Sequence, residues 1–364
     1  MRVRSIQRED IKRVVVRGTN WVGDAVLTIP ALRELRRLLP SAHITLATRS
    51  WAEGLFADAD FLDDLLIYDR GRRDPGAPFR QMREWRRRRF DAAVLFQNAF
   101  EAALIARAAR VPLRLGYATD GRRALLTHPL PVPAWRGERH EVFYYLNIIG
   151  ELERLLDGAT TIDTREPVFA LRVSGARRTE ALRLLRAEGA RVGDVPLVAL
   201  CPGSTNSRAK RWPAERYAAL ADLLIESAGA SVALVGSPDE ADVSIEVASR
   251  MRHRPIMLTG QTELAEAIAV LSLADVLITN DTGPAHISAA LDRPTLVIFG
   301  PTVPATTRPF SPQAEIIRRP PDCAPCMLRD CPIDHRCMTA ITPEEVFERA
   351  LAMIDRKRAA EVRV

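Results

Sequence analysis

Residues 14–30 read VVVRGTNWVGDAVLTIP: a short apolar run, a glycine-containing turn, then apolar residues at helical spacing. Strand, tight turn and helix in that order is the unit with which nucleotide-binding α/β folds present backbone amides to an anion. Gly18 and Gly23 are separated by four residues, as in a P-loop, yet the next residue is Asp24 where a P-loop carries lysine. A carboxylate there repels a diphosphate. The stretch carries the signature of the fold without its usual ligand, and raises the question of what an acid does at the mouth of the loop.

The same alternation runs along the chain. Apolar runs near 13–17, 44–48, 64–68, 92–96 and 113–117 alternate with helical patterns, notably Ala25–Leu39 and Glu101–Ala109. The polar stretch DGATTIDTREPVFALRVSG at 157–175 interrupts the rhythm. It restarts with apolar runs at 196–204, 231–237, 275–281 and 294–300 and helical patterns over Ala214–Ser227 and Leu264–Leu273. Such alternation predicts parallel sheets covered on both faces. The 364 residues suffice for two domains, at about 100 to 200 residues each. The expected division is 1–175, 176–345 and a C-terminal helix and tail over 346–364. Ligands of such sheets bind beyond the carboxyl ends of the strands, so the active site is expected between the domains.

Composition narrows the class. Hydrophobic content of 47% with 27% charged residues fits a folded globular chain, and the net charge of +6 favours anionic partners. The arginines of REWRRRRFD, residues 83–91, read as the solvated face of a helix leading into the next strand. The polar N-terminus MRVRSIQREDIKR leads into an apolar run far too short for a signal-peptide core or a membrane span. A cytoplasmic location is expected, with any membrane association peripheral, through basic surface.

Two loops in the second half carry chemistry. In CPGSTNSRAKRWP, residues 201–213, Gly203 lets the backbone approach a ligand, Ser204 and Thr205 offer donors, and Lys210 supplies a point charge for a phosphate. A surface loop opening a helix at Trp212 and Pro213 is the plainer reading. In ITNDTGPAHISAAL, residues 278–291, Thr282 and Gly283 open a helix whose free amides can cradle a diphosphate. Asp281 either caps that helix or bonds a sugar hydroxyl, and His286 fits a core or cap role as readily as a ligand contact. Four of the five cysteines, Cys323, Cys326, Cys331 and Cys337, follow C-x2-C-x4-C-x5-C spacing with His335 inside. Reduced cysteines so close suggest a structural site for zinc or another metal, with free thiols or an occasional disulfide the other reading.

PGSTNSRAKRWP and TNDTGPAHISAALDRPTLVIFGPT together resemble the glycosyltransferase family 9 heptosyltransferases. The resemblance extends to NWVGDAVLTIPAL, LGYATDGRRALLTHPL, RHEVFYYLNIIGEL and CAPCMLRDCPIDHRCM, in order over essentially the whole chain. It implies the GT-B architecture, two Rossmann-like parallel-sheet domains, with the acceptor on the N-terminal one and an ADP-heptose donor on the C-terminal one. It implies donor contacts from Ser204, Thr205, Lys210, Asp281, Thr282, Gly283 and His286, Thr262 near the adenosine, and Asp239 or Glu240 on the ribose. LFQNAFEAAL and GYATDGRRALLTHPL are most like heptosyltransferase II, which adds a second heptose to the first on the lipid A inner core. A basic residue common in the family near Phe100 or Glu101 is absent here, so Asn98, Arg122, Arg123 and His140 are the acceptor candidates.

An inverting transferase needs a base on the acceptor hydroxyl and stabilisation of the departing diphosphate. Asp24 is the expected base and Lys210 the expected counter-charge, with no metal ion required for catalysis. The alternatives are a family member using another sugar nucleotide or an unheptosylated acceptor and, less favoured, a nucleic-acid-binding protein; no nucleic-acid partner is expected. A Rossmann oxidoreductase is disfavoured because no G-x-G-x-x-G follows a strand.

Overall fold

The computed structural model describes residues 7–69 and 74–361. The chain divides into two compact units, Met1–Phe169 and Ala170–Val364. The division falls inside the polar connection, six residues before the expected boundary at 175.

The first unit holds six parallel strands, β1 (Arg13–Arg17), β2 (His43–Thr48), β3 (Asp64–Ile67), β4 (Ala92–Leu95), β5 (Leu113–Tyr117) and β6 (His128–Leu130), in the order β3-β2-β1-β4-β5-β6. Its helices are α1 (Val22–Leu27), α2 (Ile29–Leu38), α3 (Ala52–Phe56), α4 (Ala77–Arg88), α5 (Phe100–Ala108) and α6 (Glu141–Asp157). Val14, Val15 and Val16 are fully buried, as a central parallel strand covered on both faces requires. The chain runs β1 to β3 toward one edge and then crosses to β4, so the topological switch point lies between β1 and β4.

The second unit repeats the plan with β7 (Leu197–Cys201), β8 (Ser231–Leu234), β9 (Ile256–Met257), β10 (Val276–Asn280), β11 (Thr295–Phe299) and β12 (Ala314–Arg318), ordered β12-β11-β10-β7-β8-β9. Its helices are α7 (Gly175–Ala187), α8 (Ala214–Ala228), α9 (Ala241–Arg250), α10 (Leu264–Leu271), α11 (Gly283–Ala290), α12 (Pro304–Thr307), α13 (Arg336–Thr339) and α14 (Pro343–Glu361). Here the switch point lies between β7 and β10. The C-terminal helix expected within 346–364 is α14, which starts at Pro343: Val346, Ala350, Met353 and Ile354 recur at helical spacing along it and enter the core around β7 and α8.

Differences from the sequence reading have local causes. The single helix expected over Ala25–Leu39 is two, because Pro30 has no N–H to continue the ladder and Thr28 turns its hydroxyl back to the Ala25 carbonyl at 2.7 Å. Strand β6 contains Pro129, which only an edge strand tolerates. On α4, Arg87 and Arg88 both pair with Glu84, and Arg88 also with Asp64, so part of the arginine run is an ion-paired helix face.

One buried carboxylate fastens the first unit. Glu153 of α6 accepts from Arg37 at 2.8 Å, from the Thr160 hydroxyl at 2.7 Å and from the Thr161 backbone and hydroxyl. Burial alone would raise its pKa, but these bonds outweigh it and hold the carboxyl down to about 2. A folded-state pKa depressed from 4.5 contributes stability that is complete above 4.5 and is lost as the pH falls toward about 2. Glu153→Gln is therefore expected to lower stability by on the order of 2 to 3 kcal/mol at pH 7, with the gap closing below pH 4.5. Denaturant melts at pH 7 and pH 3 check this; a gap independent of pH contradicts it.

Candidate active site

In the second unit the two loops at the switch point are tied together from below. Asn280, fully buried at the end of β10, donates to the carbonyls of Pro202 and Gly203 at 2.8 and 3.1 Å. Its side-chain oxygen accepts from the Trp212 backbone at 3.0 Å and from the Tyr217 hydroxyl at 3.1 Å. One amide side chain thus fixes the loop after β7 against the loop after β10. Nothing local in the sequence marks Asn280 for this part, because its partners lie 63 to 78 residues away.

On this platform Lys210 donates from Nζ to the Asp281 carboxylate at 2.8 Å and to its backbone carbonyl at 3.1 Å. Asp281 is buried and also accepts from the Thr302 hydroxyl at 2.7 Å. It does not cap α11, whose N-cap is Thr282. Its role is to hold the ammonium beside the first turn of α11. An ammonium has three N–H donors; two are spent on Asp281, so a third is available to a ligand without breaking the pair. Gly283 is the first residue of α11, and His286 is buried in its interior.

The remaining donor candidates lie on the same carboxyl edge. Ser204 is buried and Thr205 exposed, and the Ser204 carbonyl is clamped by Arg211 at 3.0 and 3.2 Å. A Cβ at Gly203 would sit 2.4 Å from the Glu240 carboxyl, so only glycine lets that side chain lie over the loop. Glu240 is further oriented by the Ser237 amide and hydroxyl, at 3.0 and 2.8 Å. Asp239 is exposed and has no such placement; of the two acids, Glu240 is the one the structure brings to the loop. Thr262 follows β9 at the same edge, within 3.5 Å of the Leu258 carbonyl.

The cysteine segment is tied to the loop after β7. Among the described residues no set of three or more His, Cys, Asp or Glu side chains is placed to hold a metal ion. Cys323 is exposed, Cys326 and Cys331 half-buried, and Cys337 buried beneath Gly300, all as free thiols. His335 bonds the Ala209 carbonyl through Nε2 at 2.7 Å. The Ser207 hydroxyl donates to the carbonyls of Leu328 and Arg329, Ala209 N donates to the Arg329 carbonyl, and Arg208 pairs with Asp330. The segment buttresses the loop that carries Lys210.

In the first unit, Asp24 lies half-buried on the first turn of α1, just beyond β1. The buried Tyr145 phenol is pushed up chiefly by burial and next by the Asp24 charge, which places that carboxylate near α6. Neither Gly18 nor Gly23 has a positive φ. A Cβ at Gly18 would fit tightly, 3.2 Å from Leu46, and Gly23 is inside α1. The expected glycine turn is a short connection over 18–21, with bends at Asn20 and Trp21, that no positive φ at glycine shapes.

Three of the acceptor candidates have structural employment. Arg122, 0% exposed, donates to the carbonyls of Tyr117 and Gln97 and to the Asn98 side chain at 2.8 Å. Asn98 in turn donates to the Tyr144 hydroxyl at 2.8 Å. His140 caps α6, accepting from the Val142 amide at 3.3 Å. Arg123 is exposed at the start of a 3-10 turn. The first three brace the loop after β4 and the start of α6.

The chain is similar to known proteins in sequence and in fold. The sequence profile of Glycosyltransferase family 9 (heptosyltransferase) matches residues 79–336. Lipopolysaccharide heptosyltransferase 2 of Salmonella typhimurium is 28% identical over 362 residues, covering 94% of this chain and 98% of that one. Lipooligosaccharide heptosyltransferase 2 of Haemophilus influenzae is 29% identical over 315 residues, covering 84% and 88%. The E. coli ADP-heptose LPS heptosyltransferase II structure superposes with a TM-score of 0.81 at 25% identity, over 95% of this chain and 99% of that one. A Veillonella parvula family 9 glycosyltransferase shares the fold, with a TM-score of 0.82 at 23% identity over 97% of this chain and 100% of that one. With two six-stranded parallel sheets and a profile match over most of its length, the chain belongs to glycosyltransferase family 9.

Proposed function

We propose that the protein transfers heptose from ADP-heptose to the already heptosylated inner core of lipopolysaccharide, inverting the anomeric centre. The observation that carries the donor half is the Lys210–Asp281 pair set beside the first turn of α11, where a cation and free helix amides face one position. The second unit then binds the diphosphate through Lys210, Thr282 and Gly283, with Ser204 and Thr205 on the opposing loop. Glu240 takes the ribose hydroxyls.

Asp24 takes the proton of the acceptor hydroxyl as that oxygen bonds to the anomeric carbon. The bond from that carbon to the diphosphate breaks, and ADP leaves with the electron pair. Lys210 and the α11 amides offset the charge that develops on ADP, the task a metal ion performs elsewhere. Among the described residues no helix is long and apolar enough to cross a membrane. Exposed Phe79 and Arg83 on α4 support peripheral contact with the anionic cytoplasmic leaflet, where the acceptor is presented.

The donor is tested by measuring nucleotide release from ADP-heptose, UDP-glucose and GDP-mannose in the presence of heptosylated acceptor. Release from ADP-heptose at least about 100-fold faster than from the others is expected, since a site built on specific hydrogen bonds discriminates strongly. Equal release from all three contradicts the assignment.

A further inference from the structure

Arg17 closes β1 at the switch point of the first sheet and is only 4% exposed. Its guanidinium lies over the Tyr68 ring, 3.3 Å from the centroid, and its Nε and Nη1 have no hydrogen-bond partner. Burial pulls its pKa down to about 9, with Glu101 opposing and Arg49 adding to the shift, so it is still charged at neutral pH. A buried cation with unused donors is costly unless a partner satisfies it.

Arg17 is not isolated. Thr19 Oγ1, Asn20 Oδ1, Tyr68 OH, Gln97 Oε1 and Thr119 Oγ1 are also buried without a hydrogen-bond partner. These residues stand at, or one to three positions beyond, the carboxyl ends of β1, β3, β4 and β5. Because the strands are parallel, those ends share one edge, the edge at which ligands of open α/β sheets bind. Hydroxyl, amide and phenol groups with unused capacity match the hydroxyls of a sugar. The fork of a guanidinium matches the two oxygens of a carboxylate or phosphate.

We infer that Arg17 is the anion receptor of the acceptor subsite, taking a carboxylate or phosphate monoester of a polyhydroxylated acceptor while its neighbours on the same sheet edge bond the sugar hydroxyls. The inference rests on the glycosyl-transfer reading above for the identity of the ligand, and on the buried, unpartnered guanidinium for its place. It also supplies the basic residue missing near Phe100 and Glu101, from a strand end 83 residues earlier than Phe100.

The test uses the full chain and its Arg17→Gln and Arg17→Lys variants. Three acceptors are compared: the intact glycan, one stripped of phosphate monoesters, and one with its carboxylates amidated. Arg17→Gln is expected to raise the KM for intact acceptor at least about 30-fold and to leave the KM for ADP-heptose within about twofold. On whichever modified acceptor the wild type itself loses affinity, Arg17→Gln loses nothing further, which identifies the anion. Arg17→Lys keeps the charge without the fork and recovers only part of the loss. Should Arg17→Gln fail to fold, an acceptor KM for Arg17→Lys equal to that of the wild type overturns the inference. So does a melting temperature that falls in either variant while acceptor KM and acceptor binding are unmoved, the mark of a purely structural arginine. If the wild type transfers no heptose at all, the functional reading has failed; direct binding of the intact glycan to wild type and Arg17→Gln, without donor, still decides the role of Arg17.

Discussion

Asp24→Asn is expected to cut heptose transfer by about 10³-fold, within the range that loss of a general base produces, and to leave the dissociation constant of ADP-heptose within about twofold. The substitution keeps the shape of the side chain and its position on the first turn of α1, so packing is preserved. What it removes is the only property the proposed step uses, a carboxylate able to take a proton from a sugar hydroxyl. Donor affinity is unaffected because the proposed diphosphate contacts all come from the second unit. Single-turnover transfer and isothermal titration with ADP-heptose separate the two effects. A transfer rate near that of the wild type would assign the base elsewhere.

Lys210→Ala is expected to weaken ADP-heptose binding and slow transfer together, lowering kcat/KM by about 10³-fold, the scale of removing one electrostatic contact to a developing charge. A second effect must be separated from it. The Asp281 carboxylate is buried, and without the ammonium it keeps only its bond from Thr302. An uncompensated buried charge destabilises a fold by about 3 to 5 kcal/mol, so Lys210→Ala alone should melt markedly earlier. The double variant Lys210→Ala, Asp281→Asn removes both charges. It should recover most of the lost stability and none of the lost transfer, because the cation facing the diphosphate is still missing. Recovery of transfer in the double variant would make Lys210 a scaffold for Asp281 and would end its role toward ADP.

The contrast between these residues and those the sequence did not reveal is physical. The central strands were legible because both their faces are buried, so VVV at 14–16 and LVIF at 296–299 read as unbroken apolar runs. Strands β6, β9 and β12 lie at or near sheet edges and are short or only half-buried, and their composition resembles that of loops. Lys210 and Asp281 were legible because each stands on a glycine-bearing loop after a buried strand. That they form one ion pair was not, since the pairing spans 71 residues. Asp239 and Glu240 are adjacent in sequence, and what distinguishes them is the close approach of Glu240 to Gly203 and its bonds from Ser237.

Charge was the least legible feature. Arg122 and Arg123 look alike within DGRRALL, yet the first is a buried strut and the second is exposed. Arg17, at the end of an apolar strand, reads as the point where the chain returns to solvent; its side chain folds back over Tyr68 instead. The cysteine spacing does not record where the backbone carbonyls of its segment go. Here the carbonyls of Leu328 and Arg329 and the His335 ring are committed to the Lys210 loop.

The proposed reaction adds one heptose to an inner core that already carries one. Mass spectrometry of acceptor glycan after incubation with ADP-heptose tests it most directly, using heptose-free and mono-heptosylated acceptors in parallel. The expected result is a mass gain of a single heptose residue on the mono-heptosylated acceptor and no gain on the heptose-free one. Addition to the heptose-free acceptor alone, or to neither, contradicts it.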